Sequence, residues 1–144
     1  MDRSRDTPIE PPIDPRRIPV AGLAAIVAAI TANFAIYRIA RATGAIPDDL
    51  PDSMSAFGVG AIVFVSVLTL VIATIAMWGF AHFSSMPIRN FTTLTLIIFV
   101  TSLPPLFSLD IATDFRITLI IMHAATAFCA WWCLTRLTRP SSAR

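Results

Sequence analysis

Four apolar stretches without Asp, Glu, Lys or Arg, at residues 18–37, 54–88, 90–109 and 117–135, fill most of this chain. The hydrocarbon core of a bilayer is about 30 Å thick, and an α-helix needs about 20 apolar residues to cross it. Because no water is available there, a crossing segment must satisfy its backbone polar groups internally, as a helix does. The sequence therefore predicts an all-α, four-helix transmembrane bundle.

The composition leaves room for one such domain and little else. Of 144 residues, 56% are hydrophobic and 14% are charged, whereas about a quarter are charged in an average soluble domain. We assign residues 18–139 to the four-span domain, 1–17 to a disordered Pro-rich tail on the cytoplasmic side and 140–144 to a C-terminal tail. Five prolines within residues 8–19 exclude a regular helix there. A docking motif for a cytoplasmic partner is the alternative reading of the first tail.

The arginines predict the orientation in the membrane. With four spans, the N-terminal tail, the loop between spans two and three, and the C-terminal tail share one side. Eight arginines fall on that side and three on the other. Because short cytoplasmic segments are enriched in basic residues, both termini are expected in the cytoplasm. The net charge of +2, without a basic stripe, makes nucleic acid an unexpected partner.

Small and polar residues mark the helix faces that are expected to pack together. Lipid tails are as apolar as Leu, so membrane helices associate through close approach and hydrogen bonds. Span one carries Ala21, Ala25, Ala29 and Asn33 at four-residue spacing, and span two carries Ser66, Thr69, Ala73 and Ala76. Span four carries one stripe of Arg116, Leu119, His123, Thr126, Ala127 and Ala130, with Thr118 predicted to point away from it. These stripes are expected to face inward.

Pro104 and Pro105 interrupt the third span. Two prolines remove two backbone donors and free the carbonyls of Val100 and Thr101, so a kink is expected. The hydroxyls of the adjacent Thr101 and Ser102, or neighbouring helices, are the expected partners of those carbonyls. One interpretation is a structural kink, and the other is a discontinuous helix that lines a site, as in transporters.

His123 is the clear ionisable candidate within a span. Such residues suggest function by default, as a proton relay or as a metal or haem ligand. The structural reading is a neutral imidazole bonded to a group on another helix, with Asn33 or a freed carbonyl as candidates. No carboxylate lies within any span, and His82 should lie about 20 Å from His123 in depth. We therefore expect no metal, haem or other cofactor, and the sequence offers little support for an enzyme.

Three motifs resemble a known family of small membrane proteins. They are Asn33 in span one, Leu103-Pro104-Pro105-Leu106 in span three, and Met122-His123-Ala124 in span four. The family comprises small four-helix bacterial membrane proteins and is known as a domain of unknown function. The resemblance implies the four-helix fold and a bacterial inner-membrane location, and it supplies no activity. Cys129, Trp131 and Trp132 are not part of the family pattern.

The residues of these motifs also share a depth, so Asn33, Pro104 and His123 could form one polar cluster. We expect a structural or accessory subunit that contacts the lipid bilayer and either a membrane-protein partner or further copies of itself. The alternative is a small oligomeric transporter or channel with a site near His123 and the Pro104-Pro105 break. The candidate functional or packing residues are His123, Pro104, Pro105, Asn33 and Arg116.

Overall fold

The computed structural model describes residues 10–47 and 58–140, and this part of the chain contains helices and no strand. One turn of 3-10 helix at Pro15–Arg17 leads into the following helices: α1 (Ile18–Ala42), α2 (Val59–Phe83), α3 (Pro87–Ser102), α4 (Pro104–Phe107) and α5 (Thr113–Arg136). The short α4 continues the span of α3, so the described residues contain four candidate membrane spans. The predicted four-helix class is confirmed.

The ends of the spans differ from the prediction by a few residues. Helix α1 extends past residue 37 to Ala42, because Arg38 and Arg41 can hold their charged ends near the membrane surface while their backbone stays helical. It ends before Gly44, whose φ of +76° lies in the left-handed region that favours glycine. Helix α2 ends at Phe83, earlier than predicted, and residues 54–57 lie outside the described part.

The turn between α2 and α3 explains that earlier end. The Ser84 hydroxyl accepts hydrogen bonds from the Met86 backbone N–H at 3.1 Å and from the Asn90 side-chain amide at 2.8 Å. Pro87 then starts α3, where a proline has no intrahelical donor to lose. These bonds connect α2 and α3 through a short, defined turn.

The third span breaks at Leu103, as predicted from its two prolines. The Leu103 N–H donates to the Val100 carbonyl at 3.3 Å, so the chain tightens locally into a three-residue turn. The expected role of the hydroxyls was wrong. The Thr101 hydroxyl donates to the Ile97 carbonyl at 2.8 Å, and the Ser102 hydroxyl donates to the Phe99 carbonyl at 2.7 Å. Each hydroxyl can reach a backbone carbonyl about one turn back along its own helix, and it bonds there.

Small residues hold α1 against α2 and α5. A buried cluster near the middle of the helices joins α1, α2 and α5 through Ala25, Ala29, Leu70, Ala130 and Cys133. The predicted stripe of α1 is thus used inside the bundle. Thr118, which was predicted to point away from the α5 stripe, is also buried and is 6% exposed. Helix α5 buries two faces, since it packs on α1 as well as on α3.

The segments before α1 and after α5, as far as they are described, meet the α2–α3 turn at one end of the bundle, which we call the tail end. The Arg89 backbone N–H donates to the Glu10 carboxylate at 2.6 Å, and the Asp14 N–H donates to the Thr138 carbonyl at 2.9 Å. Ile13 packs on a core cluster at this end, which is formed by Ile18, Ala21, Met77, Phe91 and Leu134. Residues 10–17 are therefore packed on the bundle, in contrast to the predicted disorder, while residues 1–9 and 141–144 lie outside the described part.

The opposite end, which we call the α4 end, contains the end of α1, all of α4 and the start of α5. Its core cluster is formed by Ala40, Ile46, Leu106, Phe115 and Leu119. This arrangement agrees with an even number of spans, since the start of α1 and the end of α5 both lie at the tail end. That the tail end faces the cytoplasm stays a prediction.

Candidate functional site

Three helices meet at a buried polar junction formed by Asn33, Ser66 and Thr126. The Asn33 side-chain Nδ2 donates to the Ser66 Oγ at 3.2 Å and to the Thr126 Oγ1 at 2.8 Å. Asn33 is 3% exposed and Ser66 is 4% exposed. Because these bonds join α1 to α2 and to α5, the polar junction fixes the relative register of the three helices.

The bonding of Thr126 determines which way the Asn33 amide points. The Thr126 hydroxyl donates its proton to the Met122 carbonyl of its own helix, at 3.0 Å, a common arrangement of Thr in helices. Thr126 can then only accept from Asn33, so the amide nitrogen faces it. The Asn33 Oδ1 is left buried without a hydrogen-bond donor among the described residues. Buried acceptors without a donor are uncommon in folded proteins.

A cavity of about 530 Å³ lies beside the polar junction, between α2, α3 and α5. Its wall is mainly aliphatic and aromatic, and no Asp, Glu, Lys or Arg of the described part of the chain lines it. The polar residues of the wall are Asn33, Ser66, Thr69, Thr95, Ser102, His123 and Thr126. Val65, Ile72 and Ile98 also line it and are each at least 50% exposed. The cavity is therefore open between α2 and α3, on the side that faces the membrane interior.

His123 lies on the cavity wall and is half-buried. Its Nδ1 lies 2.8 Å from the Leu119 carbonyl of the same helix, so the prediction of a bond to another helix was wrong. A histidine side chain in a helix can reach the carbonyl of the residue one turn before it, and it can form its hydrogen bond there. Because a carbonyl only accepts, Nδ1 carries a proton, and in the neutral form of the ring the lone pair is therefore on Nε2. The Nε2 atom has no hydrogen bond with a described residue.

The two prolines and Arg116 lie outside the cavity wall. Pro104 and Pro105 are exposed, so the structure joins Asn33 and His123 at one cavity but not the break itself. The Arg116 guanidinium donates to the carbonyls of Leu106 at 3.1 Å and Leu109 at 3.0 Å. These carbonyls end the interrupted span and lack helical donors, so Arg116 stabilises the connection from α4 to α5.

Sequence reasoning did not identify the partners of Asn33. Ser66 and Thr126 were recognised as members of packing stripes, but their shared contact with Asn33 was missed. A stripe shows which face of a helix packs, and it does not show how that helix is rotated relative to its neighbours. The two cysteines, Cys129 and Cys133, are free, and Cys133 packs with α1 in the buried cluster near the middle of the helices. Within the described ranges, no three His, Cys, Asp or Glu side chains converge as metal ligands would.

The sequence of the chain was compared with known protein families. A family model described as a family of unknown function, DUF6069, matches residues 13–140. The chain belongs to this family. The matched range contains all four spans, so the polar junction and the cavity lie within the DUF6069 domain. No curated protein and no solved structure matches the chain.

Proposed function

We propose that this DUF6069 protein is a structural or accessory subunit of a membrane complex, which acts by packing against another integral membrane protein. Uneven burial of the four spans supports the proposal. In the most apolar window of each span, 33% of the α5 residues are buried inside the bundle, against 11% for the span of α3 and α4. The third span is thus the one that the protein's own helices cover least.

The outward face of α3 has the residues that a partner helix could use. Thr93, Leu96, Ile97 and Val100 follow helical spacing on one exposed stripe, which we call the α3 outward stripe. Leu96, Ile97 and Val100 are 54–61% exposed. The Thr93 hydroxyl has no hydrogen bond with a described residue. Because hydrogen bonds across helices support association in lipid, Thr93 favours a protein partner over bare lipid at this stripe.

The test uses the native membrane. A photoreactive amino acid at Leu96, on the α3 outward stripe, is compared with one at Leu23, which is 63% exposed on α1. The crosslinked complex is purified in mild detergent and its stoichiometry is measured. We expect Leu96 to crosslink one other membrane protein in a fixed ratio, and Leu23 to give only lipid adducts.

Two results would contradict the proposal. Purification as a monomer with equal lipid adducts at both positions would leave the α3 outward stripe as a lipid-facing surface. Crosslinks between copies of this chain alone would show a homo-oligomer, which favours the transporter or channel alternative. Thr93→Val tests the hydroxyl separately, and it should weaken the complex while the bundle keeps its own thermal stability.

A further inference from the structure

We infer that the cavity is a binding site for a neutral amphipathic molecule with one hydrogen-bond-donating head group, such as a hydroxyl. The apolar chain of this ligand would lie between α2 and α3, and the head group would meet Asn33 and His123. The inference goes beyond the proposed function and does not rest on it, because the α3 outward stripe points away from the cavity.

The cavity has the size and wall of a ligand site. Its volume of about 530 Å³ lies within the range of about 300–1,000 Å³ that is usual for small-molecule sites. It extends along α3 from Phe91 to Ser102, which is about 16 Å at the rise of an α-helix. Such a shape suits a single extended chain, and its opening between α2 and α3 admits a molecule from the membrane.

The polar groups that would meet the head group lie on one part of the wall. Asn33, Ser66 and His123 lie between Ala61 and Leu119 on the side of the α4 end and Ala76 and Ala130 on the side of the tail end. The head group of an amphipathic ligand would therefore lie at this level, and its chain would extend from there along the apolar wall.

Two acceptors without donors specify the head group. The Asn33 Oδ1 is buried, and no described residue donates to it; the His123 Nε2, which carries the lone pair of the neutral ring, also has no partner among the described residues. His123 precedes Thr126 by three residues on α5, so it lies about 4.5 Å along the axis from the threonine that holds Asn33. A ligand O–H or N–H would satisfy one or both acceptors.

The charge of the wall restricts the ligand to a neutral molecule. Among residues 10–47 and 58–140, no carboxylate, Lys or Arg side chain lines the cavity. An ammonium or phosphate head group would lose its hydration there without gaining an opposite charge, which is unfavourable in an apolar site. A neutral alcohol meets the acceptors without this cost.

The experiment uses the full chain in lipid nanodiscs with a diazirine-bearing dodecanol as the probe. After illumination, mass spectrometry maps the labelled residues. Dodecanol and dodecyl methyl ether are then compared as competitors, because they share the chain and differ in the donor proton. We expect labels on cavity residues such as Leu94 and Phe99, and competition by dodecanol about tenfold stronger than by the ether.

Matched variants connect this preference to the two acceptors. Asn33→Leu and His123→Phe should each reduce the preference for the alcohol to about threefold or less, while keeping the labelling in the cavity. The control is Thr95→Val. Thr95 also lines the cavity, but its hydroxyl already donates to the Phe91 carbonyl at 2.9 Å, so the preference should stay unchanged. His123→Phe keeps the test valid if Asn33→Leu fails to fold, since His123 bonds only to its own helix.

Three results would overturn the inference. Equal competition by alcohol and ether would mean that the cavity takes any apolar chain, such as a lipid tail. Labels on the outward residues Leu23 and Phe34 at the level of the cavity wall would mean that the cavity is not selective. An unchanged preference in both Asn33→Leu and His123→Phe would remove the assigned acceptors.

Discussion

The side of the bundle formed by α1 with α2 and α5 differs sharply from the side formed by α3. On the α1 side, Ala25 and Ala29 are fully buried, and Gly22 lies so close to Thr74 that no Cβ would fit between them. On the α3 side, Phe91 is the one α3 residue that is fully enclosed, and larger half-buried side chains such as Leu94 and Phe99 line the cavity.

The comparison shows that side-chain volume determines where the helices of this protein touch and where they leave a cavity. Hydrophobicity does not distinguish the two sides, because lipid replaces Leu without loss. Close approach does, and it is possible only where Ala and Gly face each other. The α1 side thus forms a compact scaffold with the polar junction at its centre. The α3 side is held at a distance and leaves both the cavity and the α3 outward stripe available for binding.

The largest loss of stability is expected from adding side-chain volume on the α1 side. Ala25→Leu inserts three carbons into a position that is 0% exposed, between α1, α2 and α5. Overpacking of this kind costs about 1–3 kcal/mol, and we expect the upper end because the helices have no lipid-filled gap to move into. The free energy of unfolding in SDS titrations measures the loss. Ala35→Leu is the control, since Ala35 is exposed on the same helix. Equal losses in the two variants would contradict the distinction between the sides.

A smaller effect is expected at the closest helix contact. In Gly22→Ala, the new methyl group would overlap the side chain of Thr74, whose hydroxyl is held by the Leu70 carbonyl at 2.7 Å. A β-branched side chain in a helix has few rotamers to move into, so α1 and α2 must separate. We expect a loss of about 1–2 kcal/mol. Gly79→Ala, with nothing within 4 Å of the new Cβ, should leave stability unchanged or raise it slightly, because alanine favours a helix more than glycine does. A similar loss in Gly79→Ala would contradict the assignment of the Gly22→Ala effect to the contact with Thr74.

The fold was largely predictable from the sequence, because hydropathy over 20 residues is a strong signal and the bilayer permits few structures. The small-residue stripe of α1 also predicted its buried face. The ends of helices were less predictable, as Arg38 and Arg41 show, since a charge at the membrane surface does not end a helix. The order of residues 10–17 was missed because it depends on contacts with residues 89 and 138, far away in the sequence.

Of the five candidate residues, the sequence singled out two that line the cavity, and it did not predict their bonds. Asn33 and His123 were identified, since polar side chains inside apolar spans are rare. Their partners depend on the rotation of each helix, and a sequence gives no rotation to within one residue. Local alternatives also compete: His123, Thr126 and Ser102 each bond to a carbonyl of their own helix. The cavity has no sequence signal, because it results from how bulky residues separate α3 from α2 and α5.

The polar junction should contribute less than the alanine contacts. Asn33→Leu removes the bonds to Ser66 and Thr126, and interhelical hydrogen bonds in membranes contribute about 0.6–2 kcal/mol. We expect a loss of about 1 kcal/mol in SDS titrations, because the variant also removes the unpartnered Asn33 Oδ1. Thr95→Val, which breaks a bond within α3, should cost less. A loss above that of Ala25→Leu would show that the polar junction, and not close packing, holds the scaffold.

The prolines of the third span should affect shape more than stability. With Pro104 and Pro105 both replaced by Ala, two new N–H groups can reach the Val100 and Thr101 carbonyls, so α3 and α4 should merge into one straighter helix. Spin labels at Arg89→Cys and Ser108→Cys, in a chain with Cys129 and Cys133 replaced by Ala, should report a longer distance. Stability should change by less than about 1 kcal/mol. Pro87→Ala at the start of α3 is the control, and a distance unchanged in the double variant would assign the break to packing.

The smallest effect on stability is expected at His123, although the residue is the most unusual in the spans. Its Nδ1 bonds within α5 and its ring borders the cavity, so His123→Leu breaks no contact between helices. It removes only a side-chain bond within α5, and we expect a change within about 0.5 kcal/mol. The same variant should still reduce binding of the alcohol probe, since it removes the Nε2 acceptor. A loss of stability as large as that of Asn33→Leu would instead show that His123 contributes to the packing of α5 on the other helices. The tightly packed α1 side would then include the turn of α5 that carries His123.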